Sequence, residues 1–312
     1  MSIIVRPLRE DDLPAVDRVF RLAFGTYVGL PDPLTFAGDS DWTRSRWLVT
    51  PDAAFVADRD GEIVGSIFGS RWGSVATFGP LSVLPSYWDQ GLAQQLLPPV
   101  LGRFAHWGVP HAGLYTFAQS AKHVNLYAKY GFWPGPLMAV MEKRPAEPPP
   151  AGTERFSELP GTARDATLAA CRRLTDAVCE GLDLATEIAA VERHGFGDTV
   201  MVRVGSDVAG FAVCHVGAGS EAGSGVCYVK FGAVAPGQRA AADLERLLDA
   251  VESFAQARGC GSVAAGVSMG RARAYQLMRA RGFRTVLQGV TMHRPSAPPF
   301  HDENAFVLDD WR

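Results

Sequence analysis

Two landmarks in this 312-residue chain recur at one spacing, and that spacing constrains the fold more than any other feature. Pro236 follows Pro85 by 151 positions, and Gly282-Phe283 follows Gly131-Phe132 by the same 151. Separate landmarks at a single offset indicate an internal duplication. The length agrees, because 312 residues divide into two units of about 150, each able to bury an ordinary core. The expected units are 1–145 and 153–296. A proline-stiffened linker, Arg144-Pro145-Ala146-Glu147-Pro148-Pro149-Pro150-Ala151-Gly152, joins them. The tail 297–312 carries Phe306, Val307, Leu308 and Trp311, too apolar to stay in water, so it should dock.

Each unit reads as strands mixed with crossing helices. In the first, Ile3-Ile4-Val5 is a strand and a helix follows over 11–24, with Asp11 as its expected cap. Residues 53–57 and 62–70 alternate across Asp58-Arg59-Asp60-Gly61, a hairpin signal. A strand over 76–84 leads to a helix over 91–107 with Leu92, Leu96, Leu97, Val100, Leu101 and Phe104 on one face. Pro98-Pro99 should kink that helix or end it early, since an interior proline costs about 3 kcal/mol. A strand (112–117), a helix (121–130) and a last strand (137–142) complete the unit. The second unit repeats the pattern to a final strand near 286–292. The fold class is therefore α+β with a mostly antiparallel sheet, twice.

A net charge of −3 gives no general pull toward nucleic acid or anionic membrane. The start of the chain lacks the apolar run of a signal peptide, and no segment reaches the ~20 apolar residues of a spanning helix. Five cysteines without a CxxC suit reduced thiols, and no His/Cys spacing suggests a metal. The expectation is a cytoplasmic protein with neither nucleic acid nor membrane as partner. The arginines at 271, 273, 279, 281 and 284 read as a solvated helix face.

Two stretches carry chemistry. Val83-Leu84-Pro85-Ser86-Tyr87-Trp88-Asp89-Gln90-Gly91-Leu92-Ala93 runs from a strand end through a turn into an apolar helix. Backbone N–H groups at such a helix start lack partners and suit a phosphate. Leu126-Tyr127-Ala128-Lys129-Tyr130-Gly131-Phe132 is a short helix ending at glycine, with Tyr127 one turn before the stop.

In this order and separation the two stretches resemble the cofactor elements of the Gcn5-related N-acetyltransferases (GNAT). The family pattern Gln/Arg-x-x-Gly-x-Gly/Ala reads here Trp88-Asp89-Gln90-Gly91-Leu92-Ala93, matching at the small residues and departing at Trp88. The resemblance implies two tandem acyl-CoA N-acyltransferase folds, each a mostly antiparallel twisted sheet flanked by helices. It implies acetyl-CoA as acyl donor, and a small-molecule amine or peptide as acceptor that attacks directly in a ternary complex. Leu81, Ser82 and Val83 would bind the pantetheine arm, and Asp89, Gln90, Gly91, Leu92, Ala93 and Gln94 the pyrophosphate. Ser120 would also touch the cofactor. Tyr127 would be the general acid, with His123, one turn earlier, as base or partner. The strand before the turn has no carboxylate or histidine, so His123, Asp41, a residue of the second unit or water remain as bases. Phe24, Tyr27, Phe36, Trp42 and Trp47 fall where the family lines its acceptor cleft. In the second unit Gly91 becomes Ala242, Ala93 becomes Leu244 and Tyr127 becomes Met278, so that copy reads as degenerate. A non-catalytic acyl-CoA-binding or regulatory module is the alternative.

Overall fold

The computed structural model describes residues 3–145, 154–297, 299–300 and 302–312, so most of the predicted linker lies outside the described residues. The first half runs β1 (Ile3–Pro7), α1 (Leu13–Tyr27), α2 (Trp42–Val49), β2 (Ala54–Arg59), β3 (Glu62–Trp72) and β4 (Val75–Val83). It continues with α3 (Leu92–His106), β5 (His111–Thr116), α4 (Ala121–Ala128) and β6 (Trp133–Lys143). The second repeats the order as β7 (Glu154–Arg155), α5 (Gly161–Val178), α6 (Ala185–Arg193), β8 (Gly197–Val204), β9 (Asp207–Gly217) and β10 (Gly223–Val234). Then come α7 (Ala240–Ala257), β11 (Ser262–Ser268), α8 (Ala272–Ala280) and β12 (Arg284–Arg294), followed by a tail strand, β13 (Val307–Asp309). The 151-residue offset holds at the level of elements: β12 begins at 284 and ends at 294, against 133 and 143 for β6.

Among the described residues, all thirteen strands join one mostly antiparallel sheet, ordered β1-β2-β3-β4-β5-β12-β6-β11-β10-β9-β8-β7, with β13 added to β10. The order contains an exchange. β12, from the second half, pairs with β5 of the first, and β6, from the first, pairs with β11 of the second. At the centre β6 and β12 pair with each other. Each half thus closes its sheet with the other's last strand, and Val290 and Met292 of β12 sit in the core of the first half.

Local chemistry explains the elements. Asp12, rather than Asp11, turns the chain into α1: its carboxylate accepts from the Arg9 N–H (2.8 Å) and pairs with Arg6 (2.7 Å). The β2–β3 turn is held by the Gly61 N–H donating to Asp58 (2.7 Å). The helix α3 runs unbroken through Pro98 and Pro99. Proline 98 cannot donate to the Gln94 carbonyl one turn back; the Tyr130 hydroxyl donates to it instead (2.8 Å). Among the described residues no helix is long and apolar enough to cross a membrane.

A buried ion network crosses between the halves. Arg46 of α2 pairs with Glu221 (3.1 Å), which also binds Lys230 (2.7 Å); Lys230 reaches Glu187 (3.3 Å), and Glu187 accepts from the Trp72 indole (2.9 Å). Burial alone would raise the Glu221 pKa, but Arg46 and then Lys230 outweigh it and hold the carboxyl well below the usual range. Buried ions persist only when paired, and breaking such a pair costs about 3–5 kcal/mol. Arg271 corrects the solvated-face expectation. It is buried, donates to the Val307 carbonyl (2.8 Å) and pairs with Asp309, clamping the tail.

Candidate active site

The strands β4 and β5 are parallel neighbours, yet they pair only at residues 75–77 with 111–113. Beyond that point they separate. On its other side β4 stays paired with β3, with a register shift between Phe78 and Leu81 that brackets Gly79 and Pro80. One backbone edge of β4 past Thr77 is therefore open to a ligand that lies along it as a further strand would. Arg46 anchors this irregular stretch by donating to the Gly79 carbonyl (2.5 Å).

A cleft of about 910 Å³ opens at the split. At one end lies the turn into α3, where Gly91 adopts φ +76°. A Cβ built there would meet nothing within 4 Å, so the need for glycine is conformational, and the space above it is free for a ligand. The N–H groups of residues 90–93 have no backbone acceptor among the described residues, whereas the Gln94 N–H donates to the Gly91 carbonyl (3.1 Å). Asp89 is adverse to an anion by itself, but Lys122 pairs with it at 2.6 Å, and Lys129 also lines the cleft. Replacing Gly91 by valine should strain this turn by about 1–3 kcal/mol. If the turn holds an anion, calorimetry with a phosphate-bearing probe such as CoA should find affinity weakened about 10- to 100-fold; unchanged affinity with an intact fold would count against an anion site here.

The cleft gathers Leu81, Val83, Asp89, Gly91, Leu92, Ala93, Gln94, Ser120, His123 and Tyr127. It does not gather Ser82, which is buried opposite Ser66, or Gln90, whose amide donates to the Ser86 carbonyl (2.9 Å). Tyr127 lies against Phe78 with ring centroids 5.7 Å apart, and burial pushes its phenol pKa well above the usual value. Its hydroxyl is protonated at neutral pH and lies on the cleft, placed to donate to negative charge that develops beside it. His123 is half-buried. Burial, and then Lys122, lower its pKa, so its imidazole is neutral at pH 7, with Nδ1 unpartnered among the described residues.

Asp41 is a helix cap whose carboxylate accepts from the Arg44 N–H (2.8 Å) and the Thr43 hydroxyl (3.2 Å). Trp47 packs with the core formed by α1, β2 and β3, while Phe24, Tyr27, Phe36 and Trp42 line the cleft. The sequence did not reveal Tyr115, Glu221, Tyr228 or Arg312 as cleft residues. Tyr115 is the half-buried position of β5, whose other residues are buried on both faces, so no alternation singled it out. Its hydroxyl is unpartnered among the described residues and lies over Gly289, where a Cβ would approach it to 2.4 Å.

The equivalent split in the second half is filled. There β10 and β11 pair at 226–229 with 262–265, and β13 takes the next stretch of β10, at 231–233. Those positions lie 151 after Pro80, Leu81 and Ser82. The tail strand thus holds the backbone edge that stays open in the first half, and buried Met278 stands in place of Tyr127.

Residues 17–132 match the model of the acetyltransferase (GNAT) family. Among curated proteins none matches this chain. Among solved structures, a candidate acetyltransferase from Pyrococcus horikoshii is similar at TM-score 0.70 and 15% identity, covering 97% of this chain and 93% of its own. A GCN5-related N-acetyltransferase from Sphaerobacter thermophilus gives TM-score 0.60 at 19% identity, covering 93% and 95%. The glucosamine N-acetyltransferase region of a fungal multidomain β-N-acetylglucosaminidase gives TM-score 0.66 at 17% identity, covering 94% of this chain and 38% of that one. At these identities the structural likenesses establish the fold.

Proposed function

We propose that this chain, whose residues 17–132 match the model of the acetyltransferase (GNAT) family, is an N-acetyltransferase that uses acetyl-CoA and its first-half cleft to acylate an amine. The observation that carries the reading is the open edge of β4 leading to the Gly91 turn, with the Tyr127 side chain on the same cleft. A pantetheine arm carries two amides that can donate to and accept from a strand backbone, and it suits such an edge. The free N–H groups of residues 90–93, with Lys122 and Lys129, suit phosphates. Acetyl-CoA supplies a thioester, so the new C–N bond forms as the C–S bond breaks and free CoA thiol leaves.

The remaining work falls to the protein. An alkylamine with pKa ~10.4 is almost wholly protonated at pH 7, so attack needs a proton acceptor. Neutral His123, one turn from Tyr127 on α4, suits that role directly or through water. Tyr127 gives its proton to the departing sulfur and regains one from solvent. Glu221 is a poor base because Arg46 and Lys230 already hold its charge. A thiol-release assay on the full chain with acetyl-CoA and a panel of amines tests the reading. Amine-dependent release supports it; CoA binding without release for any amine would leave a non-catalytic acyl-CoA module instead.

A further inference from the structure

We propose that the acceptor amine is a monoamine carried on a flat aromatic or bulky apolar body, rather than a polyamine, an amino sugar or a lysine-rich peptide. The inference rests on the acyltransferase reading of the same cleft.

One wall of the cleft is a run of half-buried aromatic rings. Phe24 and Phe36 stack at 5.5 Å and 20° between planes, Phe24 approaches Phe117 at 6.4 Å, and Phe117 approaches Tyr27 at 4.7 Å. Tyr27 then meets His123 at 5.3 Å, so the run reaches the helix that carries Tyr127. Half-buried rings along a cleft wall expose apolar area to it, and a cavity walled in this way is suited to a ligand that covers it. Apart from the Tyr27 hydroxyl and His123 Nδ1, such a wall offers no polar partners, so most of the several hydroxyls of a sugar would lose their water without replacement.

The charges in the cleft point the same way. Lys122 neutralises Asp89 (2.6 Å), Arg46 and Lys230 neutralise Glu221 (3.1 and 2.7 Å), and Asp310 neutralises Arg312 (2.8 Å). Of the carboxylates lining the cleft, Glu142 alone has no cation paired with it among the described residues; its described side-chain contact is the Ser262 hydroxyl at 3.5 Å. A polyamine or lysine-rich peptide would bring two or more ammonium groups into a cleft with one uncommitted carboxylate. Each further cation would be desolvated without a counter-charge.

The test uses the full chain with acetyl-CoA and four acceptors: phenethylamine, spermidine, glucosamine and a lysine-rich peptide. Phenethylamine should exceed each of the others at least tenfold in kcat/KM. Phe36→Ala should raise the phenethylamine KM about tenfold with a smaller change in kcat, and Phe36→Leu should recover part of the loss. Preference for any of the three polar acceptors, or a phenethylamine KM unmoved by Phe36→Ala, overturns the inference. If no amine is acetylated, the acyltransferase reading fails separately. The inference is then judged by calorimetry of phenethylamine with the CoA-saturated chain: binding weakened by Phe36→Ala sustains it, and absence of binding overturns it.

Discussion

Residues 1–145 expressed alone should be insoluble or inactive, because the first half does not close its own sheet. Removing the second half takes β12 away from β5 and leaves β6 without β11 and β12. It also strips Val290 and Met292 from the core beneath α3 and α4. Arg46 would lose Glu221, and Trp72 would lose Glu187, leaving a buried cation unpaired at the Gly79 anchor. An exposed β5 edge invites pairing with other chains, so aggregation is the expected outcome. Solubility, circular dichroism and thiol release measured on the fragment check this. A soluble, monomeric and fully active fragment would contradict the shared sheet as a requirement.

Replacing Tyr127 by phenylalanine should lower kcat by about 10²-fold, or ~2.7 kcal/mol in barrier, while acetyl-CoA affinity stays nearly constant. The substitution keeps the ring that packs against Phe78 and removes only the hydroxyl. A proton donor matters as the thiolate departs and contributes little to ground-state binding. His123→Ala should cost less, because a water molecule can take up the amine's proton in its place. Wild-type turnover in the Tyr127→Phe chain, with chemistry shown to limit the rate, would make the tyrosine a packing residue.

The duplication was legible because a 151-residue offset survives in landmarks that turns require, and β6 and β12 keep it to the residue. The strand exchange was not. Alternation in a strand tells which face is buried but not which neighbour it pairs with, and the same offset results whether each last strand closes its own half or the other. The apolar tail announced that it would dock, but only the structure places Val307, Leu308 and Asp309 along β10. Arg46 and Glu221 lie 175 residues apart, so no local pattern joins them. Pro98 misled for a different reason: its cost was counted from the helix alone, while the compensating Tyr130 hydroxyl comes from the segment after α4. The left-handed turn at Gly91 and the place of Tyr127 on the cleft were readable because local backbone shape and one helix position fix them.

One backbone edge, along β4, is open in the first half, and its counterpart along β10 is filled by β13. Isothermal titration of the full chain with CoA measures this directly. One site per chain is the predicted result, weakened about 10- to 100-fold in Gly91→Val, because β13 occupies in the second half the edge that β4 leaves free in the first. Two sites of comparable affinity would contradict it, as would one site that Gly91→Val leaves untouched.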